Sequence, residues 1–162
     1  MKSLCTIIIC LVTGWTLLSQ PKVAISDFEN LDNSKWSGNL MYINYGDGSK
    51  VLIRTAMQIS IKGNKILMDI EYPDEPKANS KENIRITKAG SYLGNEELID
   101  KDYDNGVLTL VTRFKGKDNN KKAVMYKTYS ISEEAYVVEK KVQYMDTEER
   151  ILRNRYNYTR SN

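Results

Sequence analysis

The chain has 162 residues, with 24 lysines and arginines, 21 aspartates and glutamates, and no histidine. The lack of histidine excludes imidazole metal sites, Ser-His-Asp and Cys-His catalysis, and haem held by a proximal histidine. A formal net charge of +3 is too small for binding nucleic acid through bulk electrostatics. At this length, and with 41% hydrophobic residues, we expect one globular domain without a nucleic-acid partner.

Residues 1–20 have the pattern of a secretory signal peptide. Lys2 gives a positive start, the run from Leu4 to Leu18 is apolar, and a polar segment begins at Ser19. The apolar run has about 15 residues, fewer than the roughly 20 that a membrane-spanning helix needs. We therefore expect cleavage, with the bond after Ser19 preferred, rather than a retained membrane anchor. The sequence predicts a periplasmic or extracellular protein.

Both cysteines, Cys5 and Cys10, lie in this segment. A lipid anchor needs a small residue before the modified cysteine, whereas Ile9 precedes Cys10, so we favour removal of the whole segment. The processed chain then has no cysteine, which excludes disulfides, thiol chemistry and cysteine-ligated metals. We expect no cofactor and no stable membrane anchor.

Residues 21–35 form a polar lead-in to the domain, which is predicted over residues 36–162. The apolar residues of the lead-in are few: Val23, Ile25, Phe28 and Leu31. We interpret it as an N-terminal arm that forms one helical turn or lies on the body of the domain.

From Trp36 onward the hydrophobic pattern has a period of two. Gly, Asn and Asp clusters interrupt it about every 8–12 residues, which indicates an all-β fold. In the clearest predicted strand, residues 51–61, Met57 and Ile59 share one face and Gln58 lies on the other. The links are too short for the crossovers of parallel strands, and a long meander has exposed edges unless it closes. We predict an antiparallel up-and-down meander closed into a β-barrel of about 8–10 strands.

One polar stretch within this pattern is predicted as an exposed hairpin tip. It covers residues 116–122 and carries Lys117, Lys121 and Lys122 beside asparagines. Glycine and asparagine favour turns, because both tolerate the left-handed backbone region. We expect its lysines to face solvent.

The order of these features resembles the calycin superfamily of lipocalin-like barrels. The shared features are a secretory signal, a short arm, a tryptophan that opens the first strand, here Trp36, and an arginine near the end of the last. Residues 153–160 fit an Arg-Asn-x-Tyr-x-x-x-Arg pattern and are similar to the ends of small secreted lipocalin-like proteins of bacteria. Ser34 replaces the glycine of the lipocalin Gly-x-Trp motif, and the Arg-x-Tyr clamp of intracellular fatty-acid binders is absent from the sequence.

The resemblance implies a contact that closes one end of the barrel. In this superfamily an arginine lies across the tryptophan and donates to backbone carbonyls, which combines a cation–π contact with hydrogen bonds. The pair implied here is Trp36 with Arg160, or failing that with Arg155. Its role is structural.

Tyrosine is enriched in the last three predicted strands. Alternation in the last strand places Asn154 and Tyr156 opposite Arg153 and Arg155. An inward arginine face would bury two guanidiniums, so we favour the tyrosine face for the interior. A barrel of this size holds either one small ligand or packed side chains, and the sequence leaves both open. With two methionines that also face inward, the predicted lining residues are Tyr126, Tyr156, Met57, Met68 and Asn154.

These observations favour an exported lipocalin-like protein that binds a small lipophilic or semi-polar ligand. The alternative is a protein partner, because small exported calycin-type barrels inhibit proteases through an N-terminal arm, here residues 21–35. An enzyme that works through tyrosine, lysine or carboxylates is the third interpretation. The sequence places no acid and base as a pair, so we predict no catalytic residue.

Overall fold

The computed structural model describes residues 20–161; the predicted signal segment up to residue 19, with both cysteines, lies outside the described residues. Ten strands make up most of this part of the chain: β1 (Ser34–Ile43), β2 (Lys50–Lys62), β3 (Lys65–Glu71), β4 (Ser80–Thr87), β5 (Tyr92–Leu93), β6 (Glu96–Asp104), β7 (Val107–Asp118), β8 (Lys121–Ile131), β9 (Ala135–Tyr144) and β10 (Ile151–Ser161). Short 3₁₀ helices accompany them at Ile25–Leu31, Pro76–Ala78 and Lys88–Gly90. Within residues 20–161, no helix is long and apolar enough to cross a membrane.

The ten strands form a closed barrel. Each strand pairs antiparallel with its neighbours in sequence, and β1 pairs with β10 to complete the ring. The connections are too short for the crossovers that parallel neighbours need. Closure protects the edges that a meander of this length would otherwise expose. The predicted all-β, up-and-down barrel is confirmed.

The β2–β3 hairpin shows how the period of two directs side chains to the interior. Met57 and Ile59 of β2 lie opposite Ile70 and Met68 of β3, and all four side chains are buried. Gly63 in the turn has a φ of 59°. This is the left-handed region, which glycine adopts at little cost. The inward face predicted for this hairpin is the face that packs in the core.

The β7–β8 hairpin differs from the expected polar tip. β7 continues to Asp118, β8 begins at Lys121, and Asn119 and Asn120 alone form the turn, with φ values of 46° and 61°. Two consecutive left-handed residues close a hairpin whose twist matches its strands. Gly116 pairs within β7, because pairing along the whole hairpin outweighs the weak β propensity of one glycine. The predicted tip was therefore too long.

The N-terminal arm packs against one end of the barrel, called here the lower end. Its 3₁₀ helix, Ile25–Leu31, buries Phe28 and Leu31, and Val23 is buried before it. The Val23 amide donates to the Gly90 carbonyl at 2.9 Å. Gly90 has a φ of 93°, and a Cβ there would lie 2.3 Å from the Val23 carbonyl oxygen, so the close approach of the arm requires glycine.

Candidate ligand-binding cavity

A cavity of about 320 Å³ lies inside the barrel. Its volume is at the lower end of the ~300–1,000 Å³ typical of small-molecule sites. Inward side chains of β2, β3, β4 and β7 to β10 line it. Most of the lining is apolar or aromatic, with two lysines, one glutamate and one asparagine among it. The apolar part includes Met57, Met68, Ile70 and Val138.

The structure places most of the predicted lining residues on this cavity. Met57, Met68, Asn154 and Tyr156 border it. Asn154, Tyr156 and Tyr158 of β10 border the cavity, so the tyrosine face of this strand lies inward. Arg155 faces outward, 3.8 Å from Glu139 on the neighbouring strand. The barrel thus contains a cavity beside its packed core.

The predicted lining is corrected at Tyr126, which lies on the outer surface of the barrel. In β8 the residues Met125 and Tyr129 face the interior, so Tyr126 faces outward, where it pairs with Arg113 of β7. The Arg150 guanidinium carbon lies 3.7 Å from the centre of the Tyr126 ring. Tyrosine covers an outer strand surface as readily as a cavity wall, so the residue type does not fix the face.

One wall of the cavity is a ladder of aromatic rings. The ring centres of Trp36 and Tyr136 are 6.0 Å apart, those of Tyr136 and Tyr158 are 6.3 Å apart, and those of Tyr158 and Tyr156 are 5.9 Å apart. Rings at these separations gain ~0.5–1.5 kcal/mol per pair beyond their burial. The ladder joins the cavity wall to the closed lower end.

The hydroxyls of this ladder are protonated at neutral pH. Burial raises the pKa of Tyr158 to about 12, and burial together with the Tyr72 hydroxyl raises the pKa of Tyr156. The Tyr156 and Tyr72 oxygens are 2.9 Å apart. Burial also raises the pKa of Tyr136, whose side chain borders the cavity. The wall therefore offers neutral phenol donors.

A buried carboxylate organises the polar side of the cavity. Glu96, at the start of β6, is 7% exposed. Thr112 and Tyr129 donate to its Oε2 at 2.7 and 2.9 Å, and Lys127 Nζ donates to its Oε1 at 2.5 Å. Burial, and next the negative charge of Glu96, raise the pKa of Tyr129 well above its usual range. Donors on β7 and β8 thus occupy both carboxylate oxygens.

The sequence analysis did not single out the two lysines of the lining. Lys127 of β8 lies directly opposite Lys140 of β9, and Lys140 lies opposite Asn154 of β10. All three border the cavity. The signal was present in the alternation, because Lys140 shares its strand face with Val138 and Val142. A charged residue on an otherwise apolar strand face is the pattern that identifies it.

The strand pairing leaves a gap in the barrel wall between the upper halves of β4 and β7, beside the cavity, and we call this gap the mouth. β4 pairs with β5 only at Ile86 and Thr87, and the pairing of β6 with β7 extends no further than Arg113. Within the described residues, no strand fills the space beside the upper halves of β4 and β7. Glu82 and Phe114 border this space, and Glu82 is the exposed member of the lining.

The lower end of the barrel carries the implied contact between arginine and tryptophan. The Arg160 guanidinium carbon lies 4.6 Å from the centre of the Trp36 ring. Its Nε donates to the Glu133 carbonyl at 2.5 Å, and a terminal nitrogen donates to the Asn30 carbonyl at 2.6 Å. Arg160, and not Arg155, therefore covers the indole and ties it to the arm.

A buried ion pair closes the upper end of the barrel. Arg153 Nε donates to Asp118 Oδ2 at 2.9 Å, and the hydroxyls of Tyr45 and Tyr144 donate to the same carboxylate at 2.5 and 2.9 Å. Burial alone would raise the pKa of Asp118, but the two hydroxyls and the Arg153 charge outweigh it and hold that pKa below its usual range. Burial, then the hydrogen bond to Asp118, raise the pKa of Tyr45 to about 12.

Comparisons with known proteins assign no family to the chain. No protein-family model matches it, and no curated protein matches it. Within residues 20–161, no group of three or more His, Cys, Asp and Glu side chains is arranged to hold a metal ion. The functional argument therefore rests on the barrel, its cavity and the chemistry of the lining.

Proposed function

We propose that this protein is an exported binding protein of the lipocalin-like type, which takes one small lipophilic or semi-polar ligand into its barrel. The observation that carries the proposal is the cavity of about 320 Å³, walled by methionine, isoleucine, valine, phenylalanine and tyrosine, with two lysines, one glutamate and one asparagine among them. Such a lining suits a ligand with an apolar body and a small number of hydrogen-bonding atoms. The mouth between β4 and β7 gives that ligand a route from solvent.

The packing of the arm favours a small ligand over a protein partner. An arm that inhibits a protease presents its apolar residues to that protease. Here Val23, Phe28 and Leu31 are buried against the lower end of the barrel. An ion pair 2.8 Å long between Asp27 and Lys101 of β6 adds to this attachment. The arm therefore acts as a cover for the lower end.

Membership in the calycin superfamily and export belong to the same proposal. The contact between Trp36 and Arg160 and the closed meander support the superfamily. The charged start and the apolar run of residues 4–18 support export to the periplasm or the medium.

The test is native mass spectrometry of the mature protein, purified from its own host without refolding. We expect an excess mass over that of the polypeptide, which disappears on denaturation and identifies the ligand. The denatured mass also reports whether the predicted signal segment has been removed. Val138→Trp should abolish the excess mass, because Val138 lines the cavity and an indole there would fill it.

Val137→Trp is the matched control. Val137 is the preceding residue of β9, but it faces outward, where it pairs with Ser130 and Asn157. This variant should keep the excess mass, and both variants should keep the far-UV circular dichroism of the wild type. A wild-type protein that carries no excess mass and takes up no apolar compound added in excess would contradict the proposed function.

A further inference from the structure

Three polar side chains form a row on one wall of the cavity. Lys127, Lys140 and Asn154 are direct cross-strand neighbours on β8, β9 and β10, and all three border the cavity. Side chains that oppose each other in this way have Cβ atoms about 4.5–5.5 Å apart. The two ammonium groups and the amide therefore reach the same part of the cavity.

The row carries more positive charge than the neighbouring side chains neutralise. Lys127 pairs with Glu96 at 2.5 Å. The oxygens of Glu96 already accept from Lys127, Thr112 and Tyr129. Lys140 makes no ion pair within the described residues. Like charges on directly opposed strand positions are destabilising, so a second anion beside Lys140 would relieve a cost that the fold carries.

Glu82 is the other carboxylate of the lining, and its charge acts in the cavity, where it adds to burial in raising the pKa of Tyr136 and Tyr158. It lies at the mouth on β4, a strand that is not a neighbour of β9, and it is exposed. It forms no ion pair with Lys140 within the described residues, and water and salt screen an exposed carboxylate in part. The anion that best complements Lys140 is one that enters the cavity.

We propose that the ligand is a small amphipathic carboxylic acid. Its carboxylate lies between Lys140 and Lys127 and accepts from the Asn154 amide, since charge-assisted hydrogen bonds are the strongest that such groups make. Its apolar part lies against Met57, Met68 and Ile70 of β2 and β3 and against Val138, which lies beside the row on β9. This inference rests on the proposed function and adds the chemical class of the ligand.

The test measures displacement of a neutral fluorescent probe, N-phenylnaphthylamine, from the mature protein by octanoate or by octanol. The two competitors share an apolar chain and differ in the charged group. We expect octanoate to displace the probe at a concentration about tenfold or more below that of octanol, which is the effect of one charged hydrogen-bonded contact.

Two neighbouring lysine variants assign the preference to the cavity. Lys140→Met removes the ammonium and keeps the length of the side chain, so octanoate should lose its advantage over octanol. Lys141→Met is the control, because Lys141 is exposed on the outer face and pairs with Glu139 at 3.0 Å. It should keep the wild-type preference. Both variants should still bind the probe, which shows that they are folded.

Each other outcome is decisive. Equal displacement by octanoate and octanol in the wild type, with the probe bound, would overturn the carboxylate inference and leave the proposed function standing. A preference for octanoate that survives Lys140→Met would overturn the assignment to this row. Failure of the wild type to bind the probe or either competitor would contradict the proposed function and the inference together.

Discussion

The lower and upper ends of the barrel are both closed, but different kinds of side chain close them. At the lower end Trp36 is 1% exposed and packs in one core cluster with Phe28 and Leu31 of the arm. At the upper end Asp118 is 4% exposed and is paired with Arg153. The apolar packing of the lower end does not depend on ionisation, and the charges of Arg160 and of the Asp27–Lys101 pair add to it. The upper end depends on two charges that must both be present, since a buried charge without its partner is strongly unfavourable.

The first prediction concerns the removal of the buried indole at the lower end. Trp36→Ala should lower the free energy of unfolding by about 3–5 kcal/mol, because it removes a fully buried indole and leaves a cavity beneath the arm. Arg160 would also lose the ring that it covers. The measurement is urea-induced unfolding followed by far-UV circular dichroism, since the substitution removes the tryptophan that would report by fluorescence.

Leu52→Ala is the control for this substitution. Leu52 is 66% exposed on the outer face of β2, so its truncation should change the free energy of unfolding by less than about 0.5 kcal/mol. Similar losses for Trp36→Ala and Leu52→Ala would show that the indole does not hold the lower end.

The second prediction concerns the removal of one charge from the ion pair at the upper end. Asp118→Asn should lower the free energy of unfolding by about 3 kcal/mol, because it leaves the Arg153 guanidinium, whose side chain is 13% exposed, without its counter-charge. Arg153→Met should have a similar effect by leaving the carboxylate unpaired. The double variant should lose less than the sum of the two, since neither charge then remains. Additive losses in this double-mutant cycle would mean that the two side chains stabilise the upper end independently.

The two ends also differ in how far the sequence predicts them. The tryptophan that opens the first strand and the arginine near the last strand's end form a known pattern, so Trp36 and Arg160 were identified as a pair. Asp118 and Arg153 are 35 residues apart and belong to no short motif. Asp118 was placed in a solvated tip, and Arg153 sits at an irregularity in the pairing of β10 with β9. The alternation of apolar and polar residues does not predict which side chains face inward beyond such a shift, because a shift of one residue exchanges the inward and outward faces of the strand.

The same reasoning explains which cavity residues the sequence predicted. Met57 and Met68 lie in long, regular strands where the period of two is unbroken, and their faces followed from it. Tyr126 was assigned by residue type rather than by the face that its apolar neighbours define, and it lies outside. The same alternation also places Lys127 and Lys140 on the inward faces of their strands. A single sequence does not rank a lysine on an apolar face as functional, because that conclusion needs the cross-strand register that brings the two lysines together.

The third prediction concerns the pH dependence of the two ends, where we expect the smallest change in the free energy of unfolding. Asp118 has a pKa below its usual range in the folded protein, whereas an unfolded aspartate titrates near ~3.9. The folded state therefore binds this proton less readily, and the stabilisation is fully present above about pH 4 and is lost as the pH falls through the lower, folded pKa.

The free energy difference between wild type and Asp118→Asn should shrink over that interval in urea titrations. The difference between wild type and Trp36→Ala should stay constant there, because the packing of an indole binds no proton. The wild type and Asp118→Asn could instead differ in free energy of unfolding by the same amount at pH 6 and at about pH 3. That result would show that the hydrogen bonds of Tyr45 and Tyr144, rather than the charge of Asp118, hold the upper end.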